Sequence, residues 1–154
     1  MNSRLIINGL GYLGLLPFLA GAMLVLSGRS VYSLQPGFLF VSYSTVILSF
    51  LGGVLWGRSL SLGESPLRWA LLLLSNGIAL LAWFSLLGGT ASYRSALLSL
   101  MLGYVVVFVA ERGADASLET ALTRPYRGFR LVLTSLVVLL HLVVVFADMT
   151  RSAA

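Results

Sequence analysis

With 154 residues, 58% of them hydrophobic and only 10% charged, the chain has too little polar side chain to wrap a water-soluble core, since soluble domains carry roughly 25% charged residues. A mean hydropathy of +0.98 points instead to one domain solvated by lipid, an all-α polytopic bundle with the bilayer as its first partner. The net charge of +5 comes from arginines alone, but they stand singly between apolar runs, which excludes a nucleic-acid surface, and the absence of cysteine excludes disulfides, thiolate nucleophiles and cysteine metal sites.

Five apolar runs follow one another: Leu5 to Ser27, Gly37 to Gly57, Arg68 to Gly88, Ser92 to Ala110 and Phe129 to Ala147. At ~1.5 Å per residue each reaches about 30 Å, the thickness of the hydrocarbon core. None has a period of two, and each is too long for a barrel strand. In the first run Ala20-Gly21-Ala22 resembles a signal cleavage site, but hydrophobicity continues to Leu26, so a retained helix is expected. Gly28-Arg29 closes it, Pro36 opens the second, and Ser65-Pro66 reads as an N-cap and first-turn proline for the third. Gly88-Gly89-Thr90 makes a tight turn to the fourth. Between the fourth and fifth lies one long loop, Glu111 to Gly128. In it Leu118, Ala121 and Leu122 oppose Asp115 and Glu119, so a short interfacial helix stopped by Arg124-Pro125 is expected.

Arginine placement sets the orientation. Arg4, Arg58, Arg68, Arg112, Arg124, Arg127 and Arg130 fall on the N-terminal side, against Arg29, Arg94 and Arg151 opposite. The excess marks the cytoplasmic face, which puts the N-terminus inside and the C-terminus in the periplasm of a bacterial inner membrane. Trp56, Trp69 and Tyr126 then form the inner aromatic belt and Tyr32, Tyr93 and Phe146 the outer. There Arg58, Arg127 and Arg130 sit among headgroups. No internal repeat is evident.

The second run carries the sharpest pattern. Thr45, Ser49, Gly53 and Gly57 recur every four residues, ending in a GxxxG pair, and small residues let another helix backbone approach. Gly14, Gly21 and Gly28 in the first run, and Ser95, Ser99 and Gly103 in the fourth, offer matching strips. Packing within the bundle is the default reading, and self-association competes with it.

Polar groups at depth need partners. Asn8, Tyr12, Tyr43, Ser75-Asn76, Tyr104 and the sole histidine, His141, are the candidates. As a proton carrier His141 needs a relay, and Asp148 lies two turns on. A neutral imidazole bonded to a neighbouring helix is the simpler reading. Arg58 and Glu111 either pair or are solvated at the surface. With no second histidine, no metal site is expected. HExxH, GxSxG and a phosphate-loop lysine are all missing, so neither an enzyme nor a cofactor is expected.

Three stretches carry a family resemblance: Gly11 to Phe18, Tyr43 to Gly57 (YSTVILSFLGGVLWG), and Tyr126-Arg127 with Phe129 to Thr134. They resemble a family catalogued as domain of unknown function 3429, which includes bacterial inner-membrane and mitochondrial membrane proteins. The resemblance implies a five-span membrane protein and brings no catalytic residues; His141 belongs to no motif of it. The function expected is that of an accessory or assembly subunit among other membrane protein subunits, with a respiratory complex suggested by analogy alone. The competing expectation is a small transporter, or a binder of lipid or quinone, with a polar pocket among Tyr43, Asn76, Tyr104 and His141.

Overall fold

A computed structural model describes residues 3–30, 34–89, 91–117 and 123–152. These form α1 (Ser3–Leu13), α2 (Leu16–Ser27), α3 (Pro36–Leu60), α4 (Pro66–Gly88), α5 (Tyr93–Ser117) and α6 (Thr123–Ser152). Five stretches among them are long and apolar enough to cross a membrane. The first crossing is not one helix, as the run Leu5 to Ser27 suggested, but α1 and α2 joined at Gly14-Leu15. Pro17 is the cause: it has no N–H for the Leu13 carbonyl, and its ring crowds the preceding turn. The helix restarts with Pro17 in its first turn, where the missing donor costs nothing.

The other boundaries follow the caps. Ser65 Oγ accepts the Arg68 amide at 3.3 Å, Pro36 opens α3, and Gly28 ends α2 in the left-handed region at φ 68°. Helices α5 and α6 run past the apolar segments that announced them. Of the Glu111 to Gly128 loop, 111–117 continue α5 and 123–128 open α6, while 118–122, where the interfacial helix was expected, lie outside the described residues.

Helix α3 is the hub, packing on α2, α4 and α5, and α6 closes the ring against α5 and α2. Leu48 and Leu55 of α3, Leu97, Leu100 and Val107 of α5, and Val144 of α6 have no exposed surface. Met23, Phe50, Leu73 and Phe146 point outward and are largely exposed. That apolar exterior suits hydrocarbon and not water.

The glycine stripe of α3 does not lie where its spacing suggested. A step of four residues turns 400°, so an i, i+4 row drifts about 40° per step around the helix. Thr45 begins the row inside, its hydroxyl 3.4 Å from the Ala82 carbonyl, but Gly53 and Gly57 end it on the outside with nothing within 4 Å of an added Cβ. Gly52 makes the close approach instead: a Cβ there would stand 3.0 Å from the Ser75 carbonyl oxygen of α4. Gly103 of α5 is closed by Leu48, and Gly21 of α2 by Phe40. Ser99 is half-buried, and Gly14 sits at the α1–α2 joint.

Gly52→Leu is therefore expected to cost ~1–3 kcal/mol by forcing α3 and α4 apart. Gly53→Leu should leave the isolated protein unchanged. Thermal unfolding in detergent distinguishes the two, and equal losses would mean that α3 is rotated from the position described.

Candidate functional site

The polar residues at depth divide into a closed core and an outward-facing remainder. At the core Ser44 of α3, Tyr104 of α5 and His141 of α6 are all at most 2% exposed. His141 Nδ1 lies 2.8 Å from the Val137 carbonyl one turn back, and Nε2 lies 2.9 Å from Ser44 Oγ. A carbonyl only accepts, so Nδ1 carries the hydrogen. Nε2 is then the acceptor and Ser44 donates to it. The Tyr104 hydroxyl donates to the Ser44 carbonyl at 2.8 Å. Ser44 has one proton, already given to the imidazole, so its 3.4 Å approach to the Tyr104 oxygen is a secondary contact.

Among Ser44, Tyr104 and His141 every side-chain donor is matched with His141 neutral. Phe40 meets the imidazole edge-on, with centroids 4.9 Å apart, and Phe18 flanks it at 6.0 Å. Three helices are fastened here. Asp148 is not the relay that its spacing allowed: it accepts from Arg94 Nε at 3.1 Å and Nη2 at 3.0 Å.

The four residues expected to share a pocket do not share one. Tyr104 and His141 meet, with centroids 5.5 Å apart. The Tyr43 hydroxyl turns to the α1–α2 joint and donates to the Gly14 carbonyl at 2.9 Å, satisfying backbone loosened by Pro17. Asn76 faces outward near the centre of α4, with one amide hydrogen on the Leu72 carbonyl at 2.9 Å.

The surface residues also divide. Trp56 and Trp69 are 45% and 58% exposed. Arg58 is half-buried; the side chains of Tyr126 and Arg127 lie outside the described residues. Arg130 is not a headgroup residue. Its guanidinium enters the bundle and meets Glu111 Oε2, at 2.9 Å from Nε and 2.8 Å from Nη2. The pair is nearly enclosed, the side chains 11% and 4% exposed, so Glu111 is not solvated at the surface. Ser44, Arg94 and the Glu111–Arg130 pair were missed from sequence because their partners are far along the chain. A buried histidine in an apolar run was the one signal that something must answer it. Among the described residues no group of three acidic, histidine or cysteine side chains is placed to hold a metal ion.

Five helical stretches of membrane length around a hydrogen-bonded Ser44–Tyr104–His141 core define a multi-pass membrane protein. The chain belongs to the family described as protein of unknown function (DUF3429), whose profile matches residues 4–146. It is 42% identical over 80 residues to transmembrane protein 69 of Xenopus tropicalis. That match covers 51% of this chain and 31% of the relative, so the chain aligns with under a third of that protein's length. No solved structure matches it.

His141→Gln should keep the fold, because an amide can still donate along its own helix and accept from Ser44. His141→Leu strands the Ser44 hydroxyl and is expected to cost ~1–3 kcal/mol. Chemical or thermal denaturation in detergent compares the two variants. A folded His141→Gln protein that fails to complement a deletion strain would assign the imidazole a titrating role.

Proposed function

We propose that this protein is a non-enzymatic subunit of the bacterial inner membrane, an accessory or assembly factor that docks through the outer face of α3 and α4 onto a transmembrane helix of a larger complex. The observation that carries this reading is Asn76. Its remaining amide hydrogen and its oxygen have no partner among the described residues, and it stands at mid-span on an exposed face. Hydrocarbon offers an amide nothing to bond, and leaving it unmatched costs several kcal/mol. A neighbouring helix supplies what lipid cannot.

The surface beside Asn76 suits such a helix. Thr45 meets Ala82 and Gly52 meets Ser75, so α3 and α4 run antiparallel. One residue further turns 100° in each helix, and opposite chain directions carry both turns to the same outer side. Gly53 and Asn76 are thus neighbours at one depth. Gly53 and Gly57 leave a shallow trough there, in which a backbone comes close enough to be bonded. The expected lipid or quinone pocket has no such support, because its residues are separated or mutually satisfied.

A photoreactive residue at Gly53 or Leu80 should form a discrete protein adduct in native membranes, while one at Phe146 should label lipid. Asn76→Leu should weaken that adduct by ~1–2 kcal/mol of association without loss of fold. Only lipid adducts at all three positions would sink the docking reading.

The N-terminus is proposed to be cytoplasmic, on the arginine excess at that side. A reporter fused after Ala154 should then be active only in the periplasm, and one in the 111–128 loop only in the cytoplasm. The opposite pattern reverses the orientation and leaves the docking surface untouched.

A further inference from the structure

At the end of the bundle where α6 terminates, opposite the Glu111–Arg130 pair, lies a cavity of about 720 Å³. Its polar lining is Gln35, Tyr93, Asp148 and Arg151. Two features mark it as built for a ligand. The Tyr93 hydroxyl is buried and has no hydrogen-bond partner among the described residues. A buried hydroxyl left unmatched is costly, so such a group points to something that binds it. Its ring is held in place: a Cβ on Gly37 would come within 2.9 Å of it, so only glycine lets α3 pass this close.

The second feature is charge. Asp148 is neutralised by Arg94, which grips its Oδ2 with two nitrogens. Arg151 pairs with no carboxylate among the described residues. Its Nη2 donates to the Val25 and Leu26 carbonyls at the C-terminus of α2, and its Nε and Nη1 are unengaged within the described residues. Arg94 lies outside the lining but pairs with the Asp148 carboxylate, which leaves Arg151 as the lining charge without an ion-pair partner among the described residues. Beside the polar part run Val41, Leu86 and Phe38, an apolar wall continuous with the outside of the bundle.

We infer that this cavity binds an anionic phosphate, with Tyr93 and Arg151 as donors, and that the apolar wall takes the acyl chain of the phospholipid that carries it. A phosphate oxygen accepts from both a phenol and a guanidinium, and arginine engages phosphate with two nitrogens at once. A carboxylate or phenol of the chain is excluded from bonding to the bound anion in its deprotonated form, so Asp148 must stay locked to Arg94 for the site to work. The site is separate from the α3–α4 docking face and stands whether or not that face meets a partner.

The test uses the full-length chain in a nonionic detergent, with phosphatidylglycerol, diacylglycerol and inorganic phosphate as probes and thermal shift and native mass spectrometry as readouts. Phosphatidylglycerol should bind saturably and raise the melting temperature, and diacylglycerol of the same chains should not. Tyr93→Phe keeps the ring against Gly37 and loses only the hydroxyl, and should weaken binding roughly tenfold, the scale of a hydrogen bond to a charged group. Arg151→Gln should weaken it further, while Arg112→Gln at the other end of the bundle should not change it. Inorganic phosphate saturating the site with the same dependence on Tyr93 upholds the anion site and overturns the lipid as its source. Binding of phosphatidylglycerol that is unaltered by Tyr93→Phe and Arg151→Gln, or no binding of either anion, overturns the proposal.

Discussion

The bond between Ser44 and His141 is the contact on which the arrangement of helices depends. Hydrocarbon cannot hydrate an imidazole, so His141 must find its partners inside the chain or take its helix out of the bundle. The 2.9 Å contact to Ser44 fixes the rotation of α6 against α3, and Tyr104, donating to the same serine's carbonyl, fixes α5 against both. The surrounding packing is dispersive and constrains rotation through shape alone, whereas a hydrogen bond at depth also demands that its atoms be aligned. Specificity here rests on a few polar atoms in an apolar medium that makes their neglect expensive.

Ion pairs at the two ends of α6 reinforce that register. Near its start Arg130 grips Glu111 at the end of α5, and near its finish Asp148 is gripped by Arg94 at the start of α5. The charges are reversed from one end to the other, so α5 and α6 pair only as antiparallel neighbours in one alignment. The two pairs differ in weight. Arg94 and Asp148 are 42% and 27% exposed and contribute little, in line with other surface pairs. Glu111 and Arg130 are nearly enclosed, and removing one partner there costs ~3–5 kcal/mol because the other is left charged and buried. Such a pair is weak evidence of net stability but strong evidence of register.

Local signals in the sequence place most of the fold: the apolar runs mark the five crossings, and the Ser65-Pro66 cap and the Gly28 stop mark helix ends. They do not show the break that Pro17 makes in the first run, nor how far α5 and α6 extend beyond theirs. Disagreement deepens where rotation about the helix axis matters. The stripe from Thr45 to Gly57 was read as one face, but four-residue spacing overshoots a whole turn, and the stripe leaves the interface halfway along. Gly52, which belongs to no four-residue pattern, makes the contact that Gly53 was expected to make. Likewise Asp148 shares a helix face with His141, and spacing alone could not show that Arg94 on the neighbouring helix had claimed it. Ser44, Glu111 and Arg94 are ordinary residues until the fold brings their partners to them.

What the interior settles also defines what the exterior leaves open. The helices could have buried Asn76 as they bury Ser75 beside it, whose hydroxyl returns to the Leu72 carbonyl at 2.8 Å. Serine closes on its own helix and can then face any surface. Asparagine cannot, because its amide has two hydrogens and a carbonyl, and one bond to Leu72 leaves the rest unmatched. A chain that satisfies His141 to the last donor while presenting a half-satisfied amide to lipid at mid-span treats two similar groups differently. The same contrast separates the enclosed Tyr104 hydroxyl, which is matched, from the enclosed Tyr93 hydroxyl, which is not. The matched groups hold the bundle together; the Asn76 amide on the outer face of α4 and the Tyr93 hydroxyl beside Gly37 are unmatched, and each marks a surface where something beyond this chain is expected to complete the bonding.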